Sequence, residues 1–257
     1  KDPAVKGIWC VPKYSNPEGI TYSDNVVRRM AHMKPAAGDF RIFWDNAYCI
    51  HAFDGPAAEI PDIISECERA GNSNLVYEFC STSKITFPGS GISAVAASPA
   101  NLIDIKSFLQ LSTIGPDKLN QLQHARFFKN SAGLRAHMKK HAAILKPKFL
   151  AVYRILQQEL EGTGVAEWTQ PKGGYFLSFN CLPGCAAKVV KLSAEYGVKF
   201  TPAGSTYPYG QDPQDCNIRL APSFATIEEI KTAVTVLALV TKIVSCEKLI
   251  QEKEGVL

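Results

Sequence analysis

The sequence lacks a long apolar run, a strong excess of either charge and any low-complexity tract, and each absence excludes a class of protein. Apolar segments such as 234–243 are too short or too interrupted to span a bilayer, so no membrane partner is predicted. The net charge of +4 is mild and the basic residues are spread along the chain, which argues against a nucleic-acid surface. The 257 residues suffice for one large globular domain or two moderate ones.

The eight cysteines include no CxxC pair, which argues against a zinc site. Cys181 and Cys185 flank Leu-Pro-Gly without a second pair or nearby histidines to complete the ligand set. His137 and His141 share a predicted helix face but have no carboxylate ligand at matching spacing, so no metal is predicted. Reduced, mostly buried thiols indicate a reducing compartment, and we expect a cytoplasmic protein. Lys1 is followed by no signal-peptide pattern and is not interpreted as the biological start.

The first half of the chain alternates short apolar runs with helical patterns. This order predicts an α/β fold in which a parallel sheet is covered on both faces. The predicted strands are Gly7–Val11, Asp39–Trp44, Val76–Cys80 and Ile92–Ala97, and the predicted helices are Ser23–Met33 and Ile60–Ala70.

After Pro99 the pattern becomes helical and then α+β. A long predicted helix over about 133–160, kinked at Pro147, would join a domain of residues 1–140 to a smaller α+β domain of residues 141–257. The other predicted helices are 101–111, 117–128, 186–196 and 227–249, and the predicted strands are 165–168, 175–180, 198–201 and 217–220.

Lys84 follows an apolar strand and the hydroxyl run Ser81-Thr82-Ser83, and a Gly/Pro-rich loop comes next. A lysine in a partly dry pocket beside hydroxyls can lose its proton and form a Schiff base with a carbonyl compound. The alternative is an ordinary solvated lysine at a strand end, and this stretch alone does not decide between the two.

Asn16, Asp45 and Tyr48 also lie in loops that follow predicted strands. The carboxyl ends of parallel strands form the rim where ligands bind, so these loops can converge with Lys84 on one site. From the residues alone, Asn16 could equally belong to a common Asn-Pro turn, and Asp45 could be a satisfied turn residue.

Five motifs in this order resemble the fold-type I, class I/II aminotransferases that use pyridoxal phosphate, and in particular the bacterial-type (Ic) subgroup of aspartate aminotransferase-like proteins. The separations from Asn16 to Asp45 and from Asp45 to Lys84 are similar to those of the family. The motifs are Asn16-Pro17-Glu18-Gly19, Asp45-Asn46-Ala47-Tyr48, Ser81-Thr82-Ser83-Lys84, Pro171-Lys172-Gly173-Gly174-Tyr175-Phe176 and Asn217-Ile218-Arg219-Leu220.

The resemblance implies a catalytic role for Lys84 and cofactor-binding roles for three other residues. Lys84 would form the Schiff base with pyridoxal 5'-phosphate and, once released, would move the proton between the substrate Cα and the cofactor. Asp45 would keep the pyridine nitrogen protonated. Tyr48 and Asn16 would donate hydrogen bonds to the 3′ oxygen of the ring.

The resemblance also implies how the phosphate and the substrate are held. Ser81 and Ser83 would contact the phosphate, and Arg219 would bind the substrate α-carboxylate through its bidentate guanidinium. The subgroup indicates transamination of aspartate or glutamate with 2-oxoglutarate, by a homodimer in the full-length protein. The alternatives left open are another pyridoxal enzyme, such as a β-lyase or decarboxylase, and the effector-binding domain of a pyridoxal-dependent transcription regulator.

Two departures from the family pattern lower the expected competence of the 257-residue chain. Many members carry a phosphate-binding arginine about eight residues after the lysine, where this chain reads Pro88-Gly89-Ser90-Gly91-Ile92, and Ser90 is a weak substitute. Members also have a long preceding segment with a phosphate loop, a ring-stacking aromatic residue and part of the dimer interface. We therefore expect weak or no transaminase activity from these residues alone, and strong turnover would contradict that expectation.

Overall fold

The computed structural model describes residues 2–255, which form two compact units. The first unit contains residues 2–13 and 20–140, and the second contains residues 14–19 and 141–255. The short segment 14–19 therefore belongs to the second unit, although its neighbours in sequence on both sides belong to the first.

The first unit is built on a four-stranded sheet in the order β1-β2-β3-β4. The strands are β1 (Gly7–Cys10), β2 (Arg41–Asp45), β3 (Val76–Ser81) and β4 (Ser93–Ala97). Strands β1, β2 and β3 are parallel as predicted, but β4 runs antiparallel to β3, so the prediction of a wholly parallel sheet is wrong at this strand. The physical reason is the connection: residues 82–92 contain no helix, and a parallel crossover normally needs one.

One face of this sheet packs against helices α1 (Asp24–Ala31) and α2 (Ile63–Arg69). Ser23 and Asp62 cap the two helices by accepting backbone N–H groups of the first turns. The buried core residues include Val27, Ala31, Ile42, Trp44, Ile63, Cys67 and Val76.

The other face of the sheet carries stacked aromatic rings. The Trp9 ring lies 5.5 Å from Phe43 and 6.2 Å from Phe79, centroid to centroid. Trp9 remains 63% exposed, so at β1 this face is not covered by the described residues, contrary to the expectation of a sheet covered on both faces.

Three helices follow β4: α3 (Pro99–Ser112), α4 (Lys118–Phe128) and α5 (Ser131–Leu160). Their bounds agree with the predicted ones to within two residues. Helix α5 runs through Pro147. No helix within residues 2–255 is both long enough and apolar enough to cross a membrane.

The second unit contains a three-stranded antiparallel sheet in the order β5-β6-β7, together with two further helices. Its core includes Phe149, Leu156, Phe179, Ile218 and Leu237. The elements are β5 (Ala166–Trp168), β6 (Leu177–Cys181), α6 (Ala186–Glu195), β7 (Asn217–Leu220) and α7 (Ile227–Lys253).

Residues 198–201 do not form the predicted strand. The segment is irregular and pairs with no strand of the sheet in the described part of the chain. Pro202 follows directly and has no N–H group to continue a ladder, which disfavours strand pairing here.

Candidate active site

Asp45 and Ser81 lie at the carboxyl ends of the neighbouring parallel strands β2 and β3. Asp45 stands opposite Phe79 in the register, and side chains alternate along a strand. Asp45 and Ser81 therefore share the face that carries Phe43 and Phe79. The structure thus brings two of the predicted cofactor-binding residues to one rim and one face of the sheet.

The turn after Asp45 is anchored to β3. The Asn46 N–H donates to Phe79 O at 2.8 Å, and the Asn46 side-chain amide donates to the Glu78 carboxylate. Burial raises the pKa of Glu78, and the nearby Asp62 adds to this, while the Asn46 hydrogen bond opposes it. These contacts hold Asp45 at the end of its strand.

Trp9 is a contact of Asp45 that sequence reasoning missed. Its indole Nε1–H donates to Asp45 Oδ2 at 3.4 Å, from strand β1. Only the inter-strand register reveals this pair, since the two residues are far apart in sequence.

Lys84 lies in a tight turn directly after β3. The Thr82 carbonyl accepts hydrogen bonds from the backbone N–H groups of Ile85 and Thr86, each at 2.8 Å. The Lys84 side chain is exposed, so its amine can be reached by a small molecule. This geometry agrees with the predicted placement of the lysine at the end of an apolar strand.

His51 connects the Lys84 turn to Tyr48, and sequence reasoning missed it. Its Nε2–H donates to the Lys84 carbonyl at 3.1 Å, and its ring packs edge-on against Tyr48 at 5.7 Å between centroids. His51 and Tyr48 are both buried. The sequence signal for this contact was the spacing of three residues between Tyr48 and His51, directly after a predicted strand. The structure thereby links two predicted site residues, Tyr48 and Lys84.

Ser81 and Ser83 form a small hydroxyl cluster beside the lysine. The Ser81 hydroxyl donates to Ser83 Oγ at 2.8 Å and also accepts the Ser83 N–H at 3.0 Å. A Cβ at Gly91 would collide with Ser83 Oγ and lie 2.9 Å from Ser83 N, so the approach of the two segments requires glycine. Ser90 is exposed.

The groups gathered at this rim fit pyridoxal phosphate. Asp45 offers a carboxylate for a protonated ring nitrogen, the Ser81 and Ser83 hydroxyls suit a phosphate, and the exposed Lys84 amine suits an aldehyde. The close approach of Gly91 to Ser83 holds Ser83 in place. Among the described residues, no group of three His, Cys, Asp or Glu side chains is arranged to hold a metal ion.

In the second unit, the structure brings Asn16 to Arg219. The Arg219 Nη1–H donates to Asn16 Oδ1 at 3.2 Å, and the guanidinium carbon lies 4.8 Å above the Phe176 ring. Arg219 Nε is buried and has no hydrogen-bond partner within residues 2–255. In that range its one hydrogen-bonded side-chain partner is a neutral amide, which leaves the guanidinium suited to an external carboxylate.

Segment 14–19 packs against the turn of the Pro171–Phe176 motif. A Cβ at Gly174 would lie 2.8 Å from Tyr14 Cβ, and one at Gly19 would lie 2.9 Å from Phe176 O. Both glycines have positive φ. Two of the motifs noted in the sequence are thus neighbours in space, and their close contact positions the loop that carries Asn16.

The fold and the residues at the rim indicate a fold-type I aminotransferase, and comparison with known proteins supports this class. The structure of LysN, an α-aminoadipate aminotransferase from Thermus thermophilus complexed with N-(5'-phosphopyridoxyl)-L-leucine, aligns with a TM-score of 0.75 at 22% identity over 93% of this chain and 59% of that one. At this identity the likeness shows the fold alone, which is that of the fold-type I aminotransferases.

Closer relatives define the family. A family model described as aspartate amino-transferase matches residues 1–253. An aspartate aminotransferase of Corynebacterium glutamicum is 45% identical over 247 residues, 96% of this chain and 57% of that protein. The crystal structure of an aspartate transaminase from the same species has a TM-score of 0.95 at 45% identity over 96% of this chain and 58% of that one. The chain therefore belongs to the aspartate aminotransferase family, and it spans just under three fifths of the length of these relatives.

Proposed function

We propose that this chain carries the lysine-bearing and carboxylate-binding parts of a pyridoxal-phosphate-dependent aminotransferase. The substrates are aspartate as the amino donor with 2-oxoglutarate as the acceptor, or glutamate as the donor when the same reaction runs in reverse. The observation that carries the proposal is the group of Asp45, Tyr48, Ser81, Ser83 and Lys84 around one rim of the first unit's sheet.

Pyridoxal phosphate, when bound, supplies an electron sink for the electrons of the broken Cα–H bond. The Lys84 amine would hold the aldehyde of the cofactor and, once displaced by the substrate amine, would move the proton from the substrate Cα. Asp45 would hold the ring nitrogen protonated, and Tyr48 would orient the ring through its hydroxyl. The Ser81 and Ser83 hydroxyls would hold the phosphate.

Arg219 would bind the substrate α-carboxylate through two parallel N–H groups. The contacts of the guanidinium support this role: Asn16 and the Phe176 ring orient it, and no carboxylate within residues 2–255 neutralises it. The relative named aspartate aminotransferase supports a dicarboxylic amino acid as the substrate. We also propose that the full-length protein is a homodimer.

The test is whether Lys84 is selectively modified by pyridoxal phosphate. The chain is incubated with the cofactor, reduced with borohydride and digested, and the modified lysines are located by peptide mass spectrometry. We expect modification concentrated at Lys84 and its loss in Lys84→Ala, while the control Lys106→Ala, which removes an exposed lysine of α3, leaves it unchanged. Modification spread evenly over the exposed lysines would refute the proposal.

A second measurement separates transamination from other pyridoxal chemistry. The cofactor-loaded protein is mixed with aspartate or glutamate, and the 2-oxo acid formed in the half-reaction is quantified. A matching 2-oxo acid supports transamination. Release of carbon dioxide or of a β-substituent instead would indicate a decarboxylase or a β-lyase.

A further inference from the structure

Helix α4 places a buried histidine against the lysine turn. His124 is 8% exposed, and its Nε2 lies 2.9 Å from Thr82 Oγ1 and 3.2 Å from Thr86 Oγ1. Thr82 precedes Lys84 by two residues and Thr86 follows it by two. One ring nitrogen therefore contacts both ends of the turn from which Lys84 projects.

The partners of His124 define its tautomer. Nδ1 lies 2.8 Å from Asn120 O, and because a carbonyl can only accept, Nδ1 carries the proton. In the neutral ring Nε2 is then an acceptor, and the Thr82 hydroxyl donates to it. Thr82 Oγ1 in turn accepts the Ile92 N–H at 2.9 Å, and the Thr86 hydroxyl donates to Thr82 O at 3.1 Å.

This network ties the backbone of the turn to a rigid helix. Rotation about the bonds that flank Lys84 would separate the Thr82 and Thr86 hydroxyls from His124, and would also break the hydrogen bonds that the Thr82 carbonyl accepts. One turn earlier on α4, the Asn120 side-chain amide donates to Gly91 O at 3.3 Å, on the far side of the same loop. Helix α4 thus contacts the loop on both sides of the lysine.

We propose that His124 is a positioning residue for Lys84. His124 accepts the Thr82 hydroxyl and lies against the Thr86 hydroxyl, which itself donates to Thr82 O, so it holds the turn that carries Lys84 in one conformation before the cofactor arrives. The inference rests on the proposed function, because it assumes that Lys84 is the residue that binds the cofactor. His124 itself need not touch the cofactor or the substrate.

The variants His124→Gln and His124→Asn test the proposal. A glutamine amide oxygen reaches the place of Nε2 and can still accept the Thr82 hydroxyl, whereas asparagine reaches only the place of Nδ1. His32→Asn is a matched control, since the His32 Nδ1 also binds the carbonyl of the residue four positions earlier at 2.8 Å but lies on the exposed end of α1.

Two readouts are measured on the full chain: the rate of borohydride-trapped modification of Lys84 by pyridoxal phosphate, and deuterium exchange of the peptide that contains Ile85 and Thr86. We expect His124→Asn to slow trapping and speed exchange by about five-fold each, which corresponds to the net worth of one hydrogen bond. His124→Gln should restore most of both rates, and His32→Asn should change neither.

Variants of Thr82 keep the proposal testable if His124→Asn fails to fold. Thr82→Val removes the hydroxyl that donates to His124 and should slow trapping, while Thr82→Ser should not. A trapping rate equal to that of the unsubstituted chain in both His124→Asn and Thr82→Val would refute the positioning role alone. No selective trapping at Lys84 in the unsubstituted chain would instead refute the proposed function, and the positioning role with it.

Discussion

Gly174→Ala should strongly destabilise the second unit, because two independent costs meet at this position. Gly174 has φ +82, a conformation that residues with a side chain rarely adopt. The added Cβ would also lie 2.8 Å from Tyr14 Cβ and 3.1 Å from Tyr14 O. One of these neighbours is backbone, so the clash cannot be relieved by turning a flexible side chain.

The two costs can be separated by comparison with Gly162, which has φ +74 and no atom within 4 Å of an added Cβ. The left-handed conformation costs an alanine about 1–2 kcal/mol at either position. Overpacking adds about 1–3 kcal/mol at Gly174 only. The gain from a less flexible unfolded chain is the same for both substitutions and cancels in their difference.

The assay is urea denaturation of Gly174→Ala and Gly162→Ala beside the unsubstituted chain. Both glycines lie in the second unit, so the same transition reports on both. We expect Gly174→Ala to lose about 1–3 kcal/mol more unfolding free energy than Gly162→Ala. Equal losses in the two variants would show that segment 14–19 does not pack against Gly174. In that case this contact would not be what positions Asn16.

Two further predictions concern one polar side chain in each unit. Asn217 is 4% exposed and donates to Ser178 Oγ at 2.6 Å and to Asn180 Oδ1 at 2.7 Å. Asn217→Ala should therefore lower the unfolding free energy measured by urea denaturation by about 2–4 kcal/mol. A loss below about 0.5 kcal/mol would contradict this. For Glu78, burial and then Asp62 raise the folded-state pKa above the ordinary 4.5, so its ionised form is disfavoured in the folded chain and stability falls as pH rises through that range. Glu78→Gln stays neutral, so its unfolding free energy relative to that of the unsubstituted chain should be higher well above pH 4.5 than below it. A difference between the two chains that does not change with pH would contradict the assignment.

Local patterns predicted much of the fold because the forces behind them act over a few residues. The caps Ser23 and Asp117 begin helices where these were predicted, whereas the helix predicted from Ile60 begins only at Ile63, after its cap Asp62. Strand β3 ends where the hydroxyl run begins, and the turn that carries Lys84 follows it as expected. These features depend on backbone hydrogen bonds and side chains that are close in sequence.

Features that depend on register or on long-range packing could not be predicted in this way. The antiparallel direction of β4 follows from a connection without a helix, and residues 198–201 pair with no strand in the described part of the chain. The contact between Trp9 and Asp45 depends on the register of β1 and β2, which sequence periodicity alone does not set.

By itself, the sequence determined which chemical groups are available and the local structure that carries each one: a lysine after an apolar strand, an aspartate at the end of another, and an arginine within a third. The tertiary structure decided which groups meet. It joined Tyr48 to the Lys84 turn through His51, placed His124 across both ends of that turn, and assigned Asn16 to Arg219 through the packing of two glycine turns. The physical reason is range, since a turn or cap needs only neighbouring residues, whereas these contacts form only when distant segments pack together.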